Sequence, residues 1–241
     1  LRGGESEVLS TRGNKRPKAA KAATVTMAIA LAFVSARATA GEGYDLVIAG
    51  GRVIDPASGR DEIADVGIRQ GMIAAISATA LKGKRRIDAE GLVVAPGFID
   101  LHAHGQDPVA ERLQLLDGVT TAIDMEIGTA PVAALYRRMQ GKALINFGAS
   151  ASHICARLEV MSDKRCSGDV EGQVTADPAM LVKGATPEEE AQIVAILDRE
   201  VAAGGLGYGI GLGYVPGAGR RGIFRVFQAG AHTQAPGFLH E

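Results

Sequence analysis

Two histidines separated by a single residue, His102 and His104, carry the clearest chemical signal in the chain. They follow an apolar run over 93–101 that reads as a strand. Because side chains alternate between the two faces of a strand, both imidazoles are expected on the same side, where they can bind one metal ion. Asp100 precedes them and is expected to hold a ring nitrogen or to accept a hydrogen bond close to the metal. The spacing therefore predicts a metal site at the end of this strand.

The elements that must position these histidines alternate between helix and strand. Asp107 and Pro108 begin a predicted helix that Gly118 ends, and a strand over 119–126 follows. The other predicted elements are a helix over 131–140, a strand over 143–147, a helix from the capping box at Thr186 to Gly204, a strand over 206–210, a helix over about 223–231 and a strand at 237–240. Alternating units predict parallel strands with right-handed crossovers, here about five of the eight strands of a TIM-like (β/α) barrel.

Residues 41–92 show a different pattern of apolar residues. Short apolar bursts with a period of two, such as 45–48 and 64–68, alternate with Gly and Pro turns. This pattern predicts a small antiparallel β domain. The expected fold is therefore α/β, with a small β-sandwich domain over 41–92 followed by the N-terminal part of a (β/α) barrel over 93–241.

The N-terminal segment 1–40 reads as an export signal. A basic stretch precedes an apolar run over 23–34, and the small residues Ala38 and Ala40 flank the position before a predicted cleavage at Gly41. The run is too short to span a bilayer as a stable helix. We therefore expect a secreted or periplasmic protein without a stable membrane span after cleavage, and an uncleaved anchor or a disordered tail is the alternative.

Charge argues against one class of partner. Acidic and basic residues nearly balance, with a formal net charge of −1. The sequence shows no basic stripe of the kind that tracks a phosphate backbone. We therefore expect no nucleic-acid partner.

Four segments resemble a known family. Residues 44–56 and 88–105 resemble the opening strands and the first barrel strand of the metal-dependent amidohydrolase superfamily. Residues 118–126 and 211–217 resemble its N-acyl-D-amino-acid deacylase branch. The resemblance covers nearly all of the chain after the predicted signal. It implies hydrolysis of a linear amide in a small-molecule N-acyl amino acid, with one or two Zn²⁺ ions as cofactor.

The resemblance also implies further metal ligands. Glu126 ends its strand where the family carries a metal-binding cysteine or acid, so it is expected to bind or bridge zinc beside His102 and His104. A glutamate here resembles the members that act on acidic substrates, the N-acyl-D-glutamate and D-aspartate deacylases. His240 aligns with the histidine that binds metal from the fifth strand. The alternatives are a solvated acid at a strand end and a frayed terminal histidine.

Three more residues are expected at the substrate. His153 and Arg157 form a His-x-x-x-Arg pattern that is similar to a segment of the family, and the resemblance implies that they line the cleft. Tyr214 resembles the family tyrosine that contacts substrate or the oxyanion. The alternatives are a buried histidine satisfied by the backbone and an interior tyrosine with a paired hydroxyl.

The two cysteines leave two possibilities. Cys155 and Cys166 would lie in an oxidising compartment if the chain is exported, and they could then close a short loop. The resemblance, however, implies that Cys155 lies beside the mouth of the active site. We expect free thiols, with a disulfide as the alternative.

Parts of the family's machinery have no counterpart in the sequence. These are the strand-six histidine and the strand-eight aspartate that acts as general base. We therefore expect the N-terminal part of a C-terminally truncated enzyme, or else a catalytically incompetent fragment of one. A cyclic-amide hydrolase of the dihydroorotase or hydantoinase type is a further alternative. Such enzymes usually carry a carbamylated lysine from a later strand, and because no lysine occupies a matching strand end here, Glu126 favours the deacylase branch.

Overall fold

The computed structural model describes residues 43–104, 106–166 and 170–241, without the side chains of residues 170 and 171. The predicted export signal lies outside these residues. Within them, no helix is both long enough and apolar enough to cross a membrane. The strands form two sheets of five strands each.

The first sheet is mixed. Its strands are β1 (Tyr44–Asp55), β2 (Arg60–Arg69), β3 (Met72–Ser77), β4 (Gly83–Asp88) and β5 (Val93–Val94). The antiparallel pairing that the sequence predicts is confirmed for β1, β2 and β3, but it is wrong for β4 and β5, which run parallel to β1. The reason is that the chain leaves β3 at one edge of the sheet, passes β2 and joins the free side of β1. Val53, Ala64 and Val66 form the buried core of this sheet.

The second sheet is parallel and follows the order of the chain. Its strands are β6 (Phe98–Asp100), β7 (Val119–Thr129), β8 (Asn146–Ser152), β9 (Tyr208–Gly211) and β10 (Gly237–His240). Each strand pairs in parallel with the next. Strands β7 and β10 contact each other although two strands lie between them, so the sheet is curled. The predicted five strands of a (β/α) barrel are confirmed.

Seven helices connect or flank these strands in the described residues. They are α1 (Pro108–Leu116), α2 (Val132–Met139), α3 (His153–Ser162), α4 (Val170–Thr175), α5 (Pro178–Val182), α6 (Pro187–Ala202) and α7 (Arg220–Thr233). Asp107 caps α1 by accepting hydrogen bonds from two backbone N–H groups, as expected. The predicted capping box of α6 is also confirmed, because the side chains of Thr186 and Glu189 each bond the other's backbone N–H.

Several boundaries differ from the sequence-based expectation. The strand predicted to end at Glu126 continues to Thr129, and the run over 93–101 is split, because Val93–Val94 pairs with β1 and only Phe98–Asp100 joins the parallel sheet. The strand expected over 143–147 lies at Asn146–Ser152, since Ala143 N still bonds Met139 O in the turn that ends α2. The misleading signal is that the buried part of this strand consists of small residues rather than large apolar ones. Helix α7 is longer than expected and reaches Thr233, where Gln234 ends it in a left-handed conformation.

The cysteines are joined, so the expectation of free thiols is wrong. Cys155 lies in the first turn of α3, and Cys166 follows the end of this helix. Asp163 turns the chain back on itself in a left-handed conformation, which brings the two Cα atoms within 5.2 Å and the sulfurs into a disulfide. The disulfide therefore ties this returning segment to the start of α3.

Candidate metal centre

Three predicted ligands meet at one edge of the second sheet: His102 follows β6, Glu126 lies inside β7 and His240 ends β10. One atom each from His102, Glu126 and His240 lies within 4.8 Å of the other two. The Oε1 atom of Glu126 is 2.9 Å from His102 Nε2 and 3.6 Å from His240 Nδ1. His104 Nε2 approaches the same oxygen at 3.1 Å. The curled parallel sheet thus brings the three predicted histidine ligands to one oxygen of the fourth, Glu126.

A bulge in β7 aims Glu126 at this point. Asp124 pairs with Ala149 and Thr129 pairs with Ala151, so five steps along β7 lie opposite two steps along β8. Extra residues of this kind bend a strand and redirect its side chains. Gly128 occupies the bulge at a φ of +67°, and a Cβ there would overlap the backbone of β8. The bulge is therefore a built feature of the site.

Hydrogen bonds from three directions hold the bulge. The backbone N–H of Gly128 donates to Asp124 Oδ1 over 2.8 Å. Ser150 Oγ donates to the carbonyl of Met125, and Gln173 Nε2 donates to the carbonyl of Gly128 over 3.0 Å. Because these partners come from β7 itself, β8 and α4, the position of Glu126 depends on several elements.

The environment of Glu126 fits a cation. Its residue surface is 7% exposed, and among the described residues Oε1 accepts no hydrogen bond although three histidine nitrogens face it. A metal ion placed among these atoms would satisfy the carboxylate oxygen and the nitrogen lone pairs together. The separations of 2.9 to 3.6 Å bracket the roughly 3.3 Å expected between two ligand atoms of a tetrahedral zinc ion. Imidazole nitrogen and carboxylate oxygen are donors that zinc accepts.

Tyr214 lies beside this cluster. Its ring stacks on His240 with the ring centres 5.3 Å apart and the planes inclined by 13°. His102 contacts both His104 and His240 edge to face, at 5.0 and 5.8 Å. Tyr214 is 38% exposed, so the stacked pair is accessible to solvent. The structure therefore brings Tyr214 together with the predicted ligands.

Asp124 belongs to the site, and the sequence analysis missed it. Its Oδ2 atom lies 3.1 Å from His104 Nδ1. Burial raises the pKa of this carboxyl, and the hydrogen bonds from Gly128 and His104 oppose that rise. Its position two residues before Glu126, on the same face of a strand, was the available signal. Asp100, which was expected to reach a histidine ring, instead accepts a hydrogen bond from the backbone N–H of His102.

No family model matches the chain, but individual relatives do. It is 32% identical over 206 residues to the N-acyl-D-glutamate deacylase of Alcaligenes xylosoxydans xylosoxydans, and this match covers 73% of the chain and 39% of the relative. The D-aminoacylase of the same organism is 29% identical over the same shares. The chain belongs to the N-acyl-D-amino-acid deacylase branch of the metal-dependent amidohydrolases. It spans about two fifths of the length of these curated relatives.

Solved structures of the deacylase branch share the fold. The N-acyl-D-glutamate deacylase from Bordetella bronchiseptica, complexed with zinc and a phosphonate inhibitor, superposes with a TM-score of 0.64 at 26% identity. A D-aminoacylase mutant in complex with copper chloride gives a TM-score of 0.63 at 26% identity. Both matches cover 80% of this chain and 44% of the solved chain. Shorter matches reach dihydroorotases, such as that of Solibacter usitatus, which is 44% identical over 78 residues, 32% of this chain.

The remaining two predicted residues of this deacylase-branch chain lie in its interior. His153 and Arg157 are 3% and 2% exposed, and they line a small cavity beside Glu190. Arg157 donates to the carbonyls of Met180 and Lys183 over 3.2 and 2.6 Å. Burial, together with the charge of Arg157, lowers the pKa of His153 to about 3. Neither residue is part of the histidine and carboxylate cluster, and their contact with substrate stays a prediction.

Proposed function

We propose that this chain supplies the metal-binding part of a zinc-dependent enzyme that hydrolyses the amide of an N-acyl-D-amino acid. The observation that carries the proposal is the convergence of His102, His104 and His240 on Glu126 Oε1 in a chain of the deacylase branch. The substrate is a small molecule. The proposal includes export, to the periplasm or the medium, on the strength of the segment 1–40.

The residues of the site would have different roles in the proposed hydrolysis. His102, Glu126 and His240, with His104, would hold one or two zinc ions. Zinc bound there would polarise the amide carbonyl and make water a stronger nucleophile at neutral pH. Tyr214 packs against His240 and is accessible to solvent, so an acyl group could approach it. We assign the general base of this hydrolysis to none of the described residues.

An acidic amino acid is the proposed side-chain preference. Two observations support it. Glu126 stands where the resemblance allows either a cysteine or an acid, and the acid resembles the members that act on acidic substrates. The relatives include two proteins named N-acyl-D-glutamate deacylases.

A second candidate is hydrolysis of a cyclic amide. It is favoured by the dihydroorotase of Solibacter usitatus, whose 44% identity over 78 residues exceeds that of the deacylases. That match, however, covers 32% of the chain, whereas the deacylase match covers 73%. Because the deacylase match extends over more than twice as much of the chain, the linear amide is the leading proposal.

The test uses the full chain, purified with zinc. It measures release of free amino acid from N-acetyl-D-glutamate and N-acetyl-D-leucine, and ring opening of dihydroorotate. Zinc-dependent release from N-acetyl-D-glutamate, slow because no described residue is assigned as general base and lost in Glu126→Gln, is the expected result. Ring opening without deacylation would favour the cyclic-amide alternative. Zinc binding without turnover of any of the three compounds would overturn the catalytic proposal for this chain and leave a metal-binding protein.

A further inference from the structure

We propose that Asp124 is a positioning residue that sets two metal ligands at once, Glu126 through the β7 bulge and His104 through its ring tautomer. The inference rests on the metal centre of the proposed function and deepens it. In the described residues Asp124 makes no hydrogen bond with Glu126 Oε1. One of its oxygens contacts His104, and the other accepts the backbone N–H of Gly128.

The first oxygen acts on His104. Asp124 Oδ2 lies 3.1 Å from His104 Nδ1, and a carboxylate oxygen can only accept a hydrogen bond. The proton of the neutral ring is therefore held on Nδ1, and Nε2 keeps its lone pair. Nε2 is the atom that lies 3.1 Å from Glu126 Oε1 and faces the cluster. The contact thus selects the tautomer in which His104 can bind metal.

The second oxygen acts on the bulge. Asp124 Oδ1 accepts the backbone N–H of Gly128 over 2.8 Å, which closes the bulge on its own first residue. Glu126 lies at the middle of the closed segment. The side chain of Asp124 is 14% exposed, so water competes little for either oxygen. One carboxylate therefore links the placement of a glutamate on β7 to the orientation of a histidine that follows β6.

Because each oxygen of Asp124 has its own partner, the substitution Asp124→Asn tests the arrangement directly. Asp124→Asn keeps the size of the side chain but replaces one acceptor with an NH₂ group, so it can accept from Gly128 or from His104, but not from both. If the amide oxygen stays with Gly128, its NH₂ group faces His104 Nδ1 and drives the proton to Nε2, which removes the metal-binding lone pair. If the oxygen turns to His104, the bulge loses its closing hydrogen bond.

A matched control is available one strand away. Asp100 precedes the ligand His102 by two residues, as Asp124 precedes Glu126, but in the described residues its Oδ1 atom accepts only the backbone N–H of His102, over 3.0 Å. Asp100→Asn retains an oxygen for that single donor. It changes the net charge near the site by the same amount as Asp124→Asn, so the pair separates charge from hydrogen-bond geometry.

The experiment measures zinc affinity by competition with a chromophoric chelator, and the visible absorption of the Co²⁺-loaded protein, for the full chain and both variants. We expect Asp124→Asn to weaken zinc binding by about 10- to 100-fold, as is typical for such outer contacts, and to change the Co²⁺ spectrum. Asp100→Asn should match the parent in both. Equal zinc affinity in Asp124→Asn and the parent, or equal losses in the two variants, would overturn the inference while leaving the metal centre intact.

A second measurement needs no variant. Long-range ¹H–¹⁵N correlation spectra of the metal-free parent at mildly alkaline pH report which ring nitrogen of each histidine carries the proton. We expect the Nδ1–H tautomer for His104, and an Nε2–H tautomer would overturn the inference even if Asp124→Asn fails to fold. A parent that binds no zinc at all would instead refute the proposed metal centre on which the inference rests.

Discussion

His102 Nε2 lies 2.9 Å from Glu126 Oε1, although helix α1 and most of β7 separate these residues along the chain. The contact forms because β6 and β7 are adjacent parallel strands, so residues near their C-terminal ends meet at one edge of the sheet. The carboxylate oxygen is buried and faces ring nitrogens, so a cation bound between them would contact several ligand atoms at once. This pair is therefore the centre of the expected zinc site.

Glu126→Gln should lower zinc affinity by more than about 100-fold, because a ligand contributes more than the outer contacts whose loss costs roughly 10- to 100-fold. The amide keeps the shape of the side chain but brings no negative charge to the cation. Chelator competition measures the effect. Glu188→Gln is the control, since Glu188 is exposed in the first turn of α6. Similar affinities for Glu126→Gln and the parent would show that Glu126 is not a ligand.

Tyr214→Ala should weaken zinc binding by roughly 2- to 10-fold, because an aromatic pair contributes about 0.5–1.5 kcal/mol beyond burial and this ring holds His240 in place. Tyr214→Phe keeps the ring and should bind zinc as the parent does. Titration calorimetry of the three proteins with zinc tests this. A loss in Tyr214→Phe as large as in Tyr214→Ala would assign the effect to the hydroxyl instead of the stacking.

Arg157→Met should lower the free energy of unfolding by roughly 2–4 kcal/mol, because it leaves the carbonyls of Met180 and Lys183 without their charged donor. Urea unfolding followed by circular dichroism measures the change. Arg220→Met is the control, since Arg220 is exposed at the start of α7, and its effect should stay within about 0.5 kcal/mol. Little change in Arg157→Met would mean that the buried guanidinium is dispensable for the fold.

His153 should make the folded state less stable in acid. Its pKa is about 3 in the folded protein against 6.5 ordinarily, because burial and Arg157 disfavour the charged ring. Between these two values the unfolded chain binds a proton that the folded chain does not. The contribution of His153 is therefore intact above pH 6.5 and is lost as the pH falls toward 3, by at most about 1.4 kcal/mol per pH unit.

The measurement for His153 compares slopes. Urea unfolding of the metal-free chain from pH 7 to pH 4.5 should show a shallower loss of stability in His153→Gln than in the parent, since glutamine does not titrate. His232→Gln, at an exposed position on α7, should keep the slope of the parent. Identical slopes for His153→Gln and the parent would contradict a neutral, buried His153.

Local patterns in the sequence identified the elements and the ligand types. The helix caps at Asp107 and Thr186 were predictable because a cap depends on residues three or four positions apart. The histidine pair was recognisable because alternation along a strand is also a local feature. Glu126 was predicted at a strand end, but it lies inside β7, which continues to Thr129. The parallel order of β6 to β10 followed from the alternation of helices and strands.

What the sequence by itself determined was therefore which side chains are available and which strands carry or precede them. Only the tertiary structure decided which of them meet. The disulfide between Cys155 and Cys166 depends on the left-handed turn at Asp163 that ends α3. The bulge that directs Glu126, the contact of Asp124 with His104 and the burial of His153 and Arg157 depend on contacts between different elements. Such contacts are set by register, curvature and packing, which no single segment encodes.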